Sequence, residues 1–139
     1  MKKIIFCFFL FIFMAFGLYA QLPKITIVNN TGCDIGEIYV VHDSLIEDEW
    51  DWICDPWDLI EAIDDNDAWG DNYLTRGVLR DGRSMEITLK RNINTRYNEY
   101  HIILVDDEDD YYLKDSVELR PNMRIVFNDD DWLDWDDYY

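Results

Sequence analysis

From Lys24 to Phe127 the chain is written in short runs of alternating apolar and polar residues, each closed by a turn signal. A period of two puts every second side chain on the same face, so such a run buries one face only as a β-strand. Lys24–Asn29, Ile35–Val41, Leu74–Leu79, Ser84–Lys90, Glu99–Val105, Tyr111–Leu119 and Met123–Phe127 read as seven strands. Asn30-Thr31-Gly32 and Arg120-Pro121-Asn122 mark turns, and the Asp-Gly of Arg80-Asp81-Gly82-Arg83 is a strong hairpin signal joining the third strand to the fourth. This rhythm predicts an all-β chain, a seven-stranded antiparallel sandwich of Ig/C2-like type, rather than a βαβ fold. In Ser84–Lys90, Met85, Ile87 and Leu89 share a face. Glu99–Val105 is different: Tyr100, Ile102 and Leu104 face one way and His101, Ile103 and Val105 the other.

One segment breaks the rhythm. Asp43–Tyr73 is dense in Asp and Glu and carries Trp50, Trp52, Trp57 and Trp69. Within it, Pro56 followed by Trp57, Leu59, Ile60 and Ile63 predicts a short amphipathic helix with proline in its first turn. A structureless loop of this length is unusual in a compact domain. It is read as an insertion between the second and third strands.

The start of the chain has its own pattern. Lys2 and Lys3 precede an unbroken apolar run, Ile4–Tyr19, which ends at Ala20. A charged stretch, an apolar stretch and a small residue are the parts of a secretory signal peptide, cut near Ala20/Gln21. A retained anchor is the alternative, but the run is shorter than the ~20 residues a spanning helix needs. Position 21 is Gln, so the Cys a lipoprotein needs there is missing. The expected layout is a signal peptide at 1–20, a β-sandwich domain at 21–128 with its insertion at 43–73, and an acidic, solvated tail at 129–139. The mature protein is expected in the periplasm or outside the cell, as a monomer free of the membrane.

The formal charge is −18, and loss of the leader lysines makes it more negative. Such a chain is repelled by nucleic acid and anionic lipid. It favours solubility, cations or a basic partner surface. Cys7 departs with the leader, leaving Cys33 and Cys54. An even pair in an exported chain is read as a disulfide, worth ~3 kcal/mol for a loop of this size. Two unlinked thiols are the alternative.

Several pieces in order resemble a family of small exported bacterial domains of uncharacterised function. They are Val28-Asn29-Asn30-Thr31-Gly32, Trp69-Gly70, the Leu-x-x-Gly-x-Ser turn from Leu79 to Ser84, and Leu104-Val105 followed by Asp106–Asp110 and Tyr111. The resemblance spans Ile25 to about Phe127, with Leu45–Asn66 as an insertion. It implies a β-sandwich and carries over no functional residues. The family's acidic turn usually holds a glycine near the position of Asp109, and Asp accepts positive φ better than most residues.

Asp106, Asp107, Glu108, Asp109 and Asp110 form an unbroken acidic turn. Calcium takes six to eight oxygen ligands, which Asp-rich loops supply. In an antiparallel sandwich this turn shares one end with Asp34, Asp81 and Asp129–Asp131, so the six residues Asp81 and 106–110 are candidate Ca²⁺ ligands. A solvated turn is the competing expectation, and the spacing is not that of an EF-hand. The other end gathers Arg91, Arg96 and Arg120 beside the acidic insertion. Trp50, Trp52, Trp57 and Trp69 are the candidate partner-binding residues, since Trp anchors interfaces and stacks on sugars. The competing reading packs Trp57 and Trp69 onto the sandwich. His101 is read as a surface or second-layer residue, and no nucleophile or phosphate-loop motif occurs. Pairs such as Asp64/Asp67 imitate a glycosidase dyad, but a chain this rich in carboxylates produces such pairs by chance. The expected function is a non-catalytic binding module, with a calcium-stabilised module and a glycan-binding or glycosidase-like protein as alternatives.

Overall fold

A computed structural model describes residues 22–46, 53–90 and 99–134. The predicted signal peptide, Trp50, Trp52, Arg91, Arg96 and Trp135 lie outside them. Six strands form among the described residues: β1 (Lys24–Asn30), β2 (Ile35–His42), β3 (Ser84–Thr88), β4 (Glu99–Asp106), β5 (Tyr111–Glu118) and β6 (Met123–Asn128). They make two three-stranded sheets, ordered β3-β1-β6 and β2-β4-β5. The all-β expectation holds at this level. The wholly antiparallel arrangement does not, because β1 and β6 pair in parallel from Ile25↔Met123 to Asn30↔Asn128.

The expected strand at Leu74–Leu79 is also corrected. Only Leu79 pairs, in a single bridge with Ile35. Gly77 takes φ +70°, which interrupts an extended run, and Val78 is left exposed. The segment still contributes Leu74 and Leu79 to the core, which explains its apolar pattern. Its backbone lies along β2: Ile35 and Leu79 exchange both N–H···O bonds (3.0 and 2.9 Å), and Tyr73 N–H donates to Ile38 O at 2.8 Å. The Asn72 carboxamide oxygen accepts from both Ile38 N (3.0 Å) and Leu74 N (2.8 Å).

Two cores follow from the strand faces. Ile25 and Ile27 of β1, Ile87 of β3, and Ile125 and Phe127 of β6 meet Ile38, Ile102, Leu104 and Tyr112 of the opposite sheet. The far face of β2-β4-β5 presents Val41, Ile103, Val105 and Leu113 to the helix α1 (Pro56–Asp65). Strand β4 is therefore buried on both faces from Tyr100 to Asp106, which is why its sequence is apolar in both phases.

The helix forms where its pattern places it. The Asp55 carboxylate caps it, accepting from Trp57 N at 2.8 Å and Asp58 N at 3.1 Å, and the Asp58 carboxylate accepts in return from Asp55 N at 3.2 Å. Trp57, Leu59, Ile60, Ala62 and Ile63 are buried against the sheet.

The expected disulfide is not formed; Cys33 and Cys54 are free thiols. Cys33 lies half-buried in the turn between β1 and β2. Cys54 precedes the helix, which lies on the far face of β2-β4-β5. The two thiols thus belong to different parts of the fold, one in the β1–β2 turn and the other at the start of the helix layer. The tail is not solvated throughout either. After a 3-10 turn at Asp129–Asp131, Leu133 N–H donates to Tyr111 O at 2.8 Å, and the Trp57 indole donates to Asp134 O at 3.1 Å. The last described residues thus extend the edge of β5.

Asn29 fixes where the two sheets meet. Its side chain is fully buried; its amide donates to Cys33 O (2.7 Å) and Leu79 O (2.8 Å), and its oxygen accepts from Thr31 N (3.1 Å) and the Thr31 hydroxyl (2.8 Å). No other residue type offers two donors and an acceptor in that shape. Asn29→Ala is expected to destabilise the fold by ~1–3 kcal/mol by stranding buried backbone groups. Denaturant unfolding of the variant against Asn30→Ala, an exposed neighbour, measures it.

Candidate functional site

Register places the turn at 31–34, the Arg80–Arg83 turn, Asp106–Asp110 and Asp129–Asp131 at one end, as strand direction implied. The acidic turn there is organised by its own first carboxylate. Asp106 is buried and its Oδ1 accepts from Glu108 N (2.9 Å) and Asp110 N (3.0 Å). Asp109 takes φ +64°, the left-handed conformation that glycine otherwise supplies. Asp81 is committed elsewhere, accepting from Gly32 N at 3.0 Å. Asp107, Glu108 and Asp109 are exposed. Among the described residues no three His, Cys, Asp or Glu side chains converge as a metal site. Within the candidate Ca²⁺ set, Asp106 holds the turn together through Oδ1 while Asp107, Glu108 and Asp109 stand in solvent.

The opposite end carries a cleft of about 360 Å³. One wall is Val40, His42 and Ser44, from the end of β2 and the 3-10 turn Asp43–Leu45; Tyr100 of β4 and Leu89 close the back. The other wall is Trp69, Gly70, Asp71 and Tyr73, with Lys90 at the lip. This second wall is positioned by the Asn72 and Tyr73 bonds to β2. Lys90 and Asp71 form an ion pair across the rim, and both are well exposed, so the pair adds little to stability. The His42 ring packs edge-on against Tyr100 (centroids 4.8 Å apart, planes 87°), and its Nδ1 lies 2.6 Å from Ser44 Oγ.

Of the predicted Trp residues, Trp57 is core. Trp69 is half-buried: it meets Tyr39 edge-on at 5.1 Å, lies 6.2 Å from the Tyr111 ring, and its indole donates to Asp64 at 3.2 Å. It therefore anchors the helix layer and lines the cleft at once. Asp64 accepts from that indole, and Asp67 sits at φ +49° in the turn after the helix. Arg120 pairs with Glu118 at 3.5 Å on the surface. Burial and the Glu37 carboxylate, 2.8 Å from its hydroxyl, push the Tyr39 phenol up to about 12.

His101 corrects the surface reading. It is fully buried on the helix-side face of β4, with Nδ1 2.8 Å from Asp115 Oδ1 and Nε2 3.1 Å from Asp43 Oδ1. A bulge in β5 makes this possible: the β4–β5 register slips between Tyr100 and Ile102, and Ser116 takes φ +49°. Strand parity alone could not show it, because the partners come from the bulge and from the 3-10 turn that also lines the cleft.

No protein-family model matches the chain, and no curated protein is detectably similar to it. Among solved structures it is similar to an NMR structure of a protein from Eubacterium rectale, at 10% identity, covering 78% of this chain and 79% of that one with a TM-score of 0.46.

The hydrogen bond from His101, followed by those from Ser116, holds the Asp115 carboxyl below its ordinary range against the opposing effect of burial. A depressed carboxyl stabilises the fold fully above the unfolded value of 3.8 and loses that contribution as pH falls through the lower folded value. Asp115→Asn should therefore flatten the acid limb of stability below about pH 5. Melting temperatures of both proteins across that range are the check; parallel limbs would refute the assignment.

Proposed function

We propose that this chain is an exported, non-catalytic binding module that takes a small ligand with one apolar face and a hydroxylated rim, a saccharide ring being the first class to test. The observation that carries this reading is the cleft. Its volume lies in the range of small-molecule sites, and it presents aromatic and aliphatic walls with a few polar groups at the rim. Trp69, Tyr73 and Tyr100 supply ring surface, on which the C–H face of a sugar packs. His42, Ser44, Asp71 and Lys90 supply donors and acceptors around it. A concave site favours a small molecule over the flat protein partner that four exposed Trp would suggest, since Trp57 is spent on the core. Export rests on the Lys2–Ala20 leader pattern, and the chain's charge supports a ligand that is neutral or cationic. The non-catalytic part rests on the commitments of the acidic groups: Asp64 holds an indole, Asp106 holds two amides, and His101 is sealed from the cleft solvent.

The test is an NMR titration with a panel of mono- and oligosaccharides. Shifts should cluster at the Trp69 indole and at 42–45 and 70–73. Trp69→Ala should weaken binding about tenfold, the effect of losing ~1.5 kcal/mol of ring contact. A flat titration with every sugar at millimolar concentration would end the proposal.

A further inference from the structure

The sequence pairs Leu74–Leu79 with Ser84–Lys90 as a hairpin, and the structure does not. Leu79 bridges to Ile35, so the partner that β3 would have had closes the edge of the other sheet instead. Among the described residues, strand β3 is an outer strand bonded to β1 alone. The bonds Asn29 N to Arg83 O (2.9 Å) and Leu89 N to Pro23 O (2.8 Å) show that the odd-numbered residues of this stretch face β1. By alternation the backbone groups of Ser84, Glu86 and Thr88 point outward.

Beside that edge runs a groove of about 420 Å³ floored by Leu74, Val78, Leu79 and Met85. Val78 is 48% exposed, one of the few large apolar side chains on the described surface. Arg80 and Arg83 stand at the groove's lip, and neither guanidinium forms an ion pair among the described residues, although the protein carries a charge of −18. Asp81, between them, is turned to Gly32, and Glu86 on β3 is already paired with Lys24 at 2.8 Å.

We propose that this edge is a docking site for an extended acidic peptide that adds as a further strand beside β3. The peptide's backbone pairs with Ser84, Glu86 and Thr88, an apolar side chain lies over Val78 and Leu74, and its carboxylates meet Arg80 and Arg83. Strand addition draws affinity from main-chain bonds and specificity from alternate side chains. The charge at the lip selects an acidic occupant over a basic one, although the protein as a whole would attract the reverse. Distant charges are screened beyond about 8 Å at physiological salt; of the near ones, Asp34 and Asp81 are engaged with the Asp81 and Gly32 amides, which leaves the two guanidiniums to meet an occupant of the groove.

The probe is a capped peptide alternating Asp and Val, about six residues long, the usual length of a strand. Its Lys/Val counterpart is the control, and both are followed by amide NMR of the full chain. The Asp/Val peptide should shift Ser84, Glu86 and Thr88 and leave the Trp69 cleft unmoved, and the Lys/Val peptide should bind more weakly. Arg80→Glu with Arg83→Glu should weaken the Asp/Val peptide about tenfold or more, and both positions are exposed enough for the fold to persist. Methylating alternate peptide amides should abolish binding in one phase and spare it in the other. Equal affinity for both peptides, indifference to the Arg substitutions, equal effects of the two methylation phases, or no binding at millimolar peptide would each overturn the proposal.

Discussion

Burial of β4 on both faces is the constraint on which the other elements depend. A strand whose residues from Tyr100 to Asp106 are all buried cannot be satisfied by a two-layer sandwich. The β3-β1-β6 sheet covers Ile102 and Leu104, and something else must cover Ile103 and Val105. Each large aliphatic side chain left in water would forgo ~1.5–3 kcal/mol. That cost explains the insertion: its capped helix brings Leu59, Ile60, Ala62 and Ile63 to the second face. The helix is ten residues long, too short to be stable alone, so the sheet and helix stabilise each other.

Acidity is used locally: several carboxylates at element ends take backbone partners. Asp55 and Asp58 cap the helix, and Asp106 closes its own turn. The Asp131 carboxylate accepts from Asn128 N at 2.8 Å and from Lys114 at 2.6 Å. In each case backbone N–H groups, left over at an element's end, meet a short acidic side chain. Asp rather than Glu dominates these positions because its reach matches a neighbouring amide two or three residues away. Density of Asp at the turns therefore reads as local capping, and it says little about a bound ion.

Much of the fold was legible because β-strands and capped helices write themselves in local pattern. Lys24–Asn30, Ile35–His42, Tyr111–Glu118 and Met123–Asn128 lie close to where alternation puts them, and the helix starts at its proline. What was not legible is pairing between distant segments. Nothing in the alternation of Met123–Phe127 states that it runs parallel to β1. Asp-Gly at Asp81-Gly82 makes a turn, with Gly82 at φ +72°, but a turn does not decide which sheet its upstream arm joins. The cleft was half visible: Trp69 stood out as an aromatic, whereas His42, Ser44 and Tyr100 matter only because three chain segments converge. The full burial of His101 was hidden for a similar reason, since a bulge opposite it cannot be read from its own strand.

The path of residues 70–79 decides both surfaces. Asn72 makes the choice concrete: one side-chain oxygen binds Ile38 N on β2 and Leu74 N on its own segment, locking the chain to the β2 edge. Had the segment paired with β3 as its hairpin signal suggests, the β2 edge would be bare and Trp69, Asp71 and Tyr73 would leave the cleft wall. Gly77 then allows the bend that carries the chain back to the Arg80–Arg83 turn. The aromatic cleft at one end of the molecule and the outer position of β3 among the described strands are consequences of the same crossing. Among the described residues one segment serves the β2 edge and so does not serve β3, and the turn that follows it brings Arg80 and Arg83 to the start of β3.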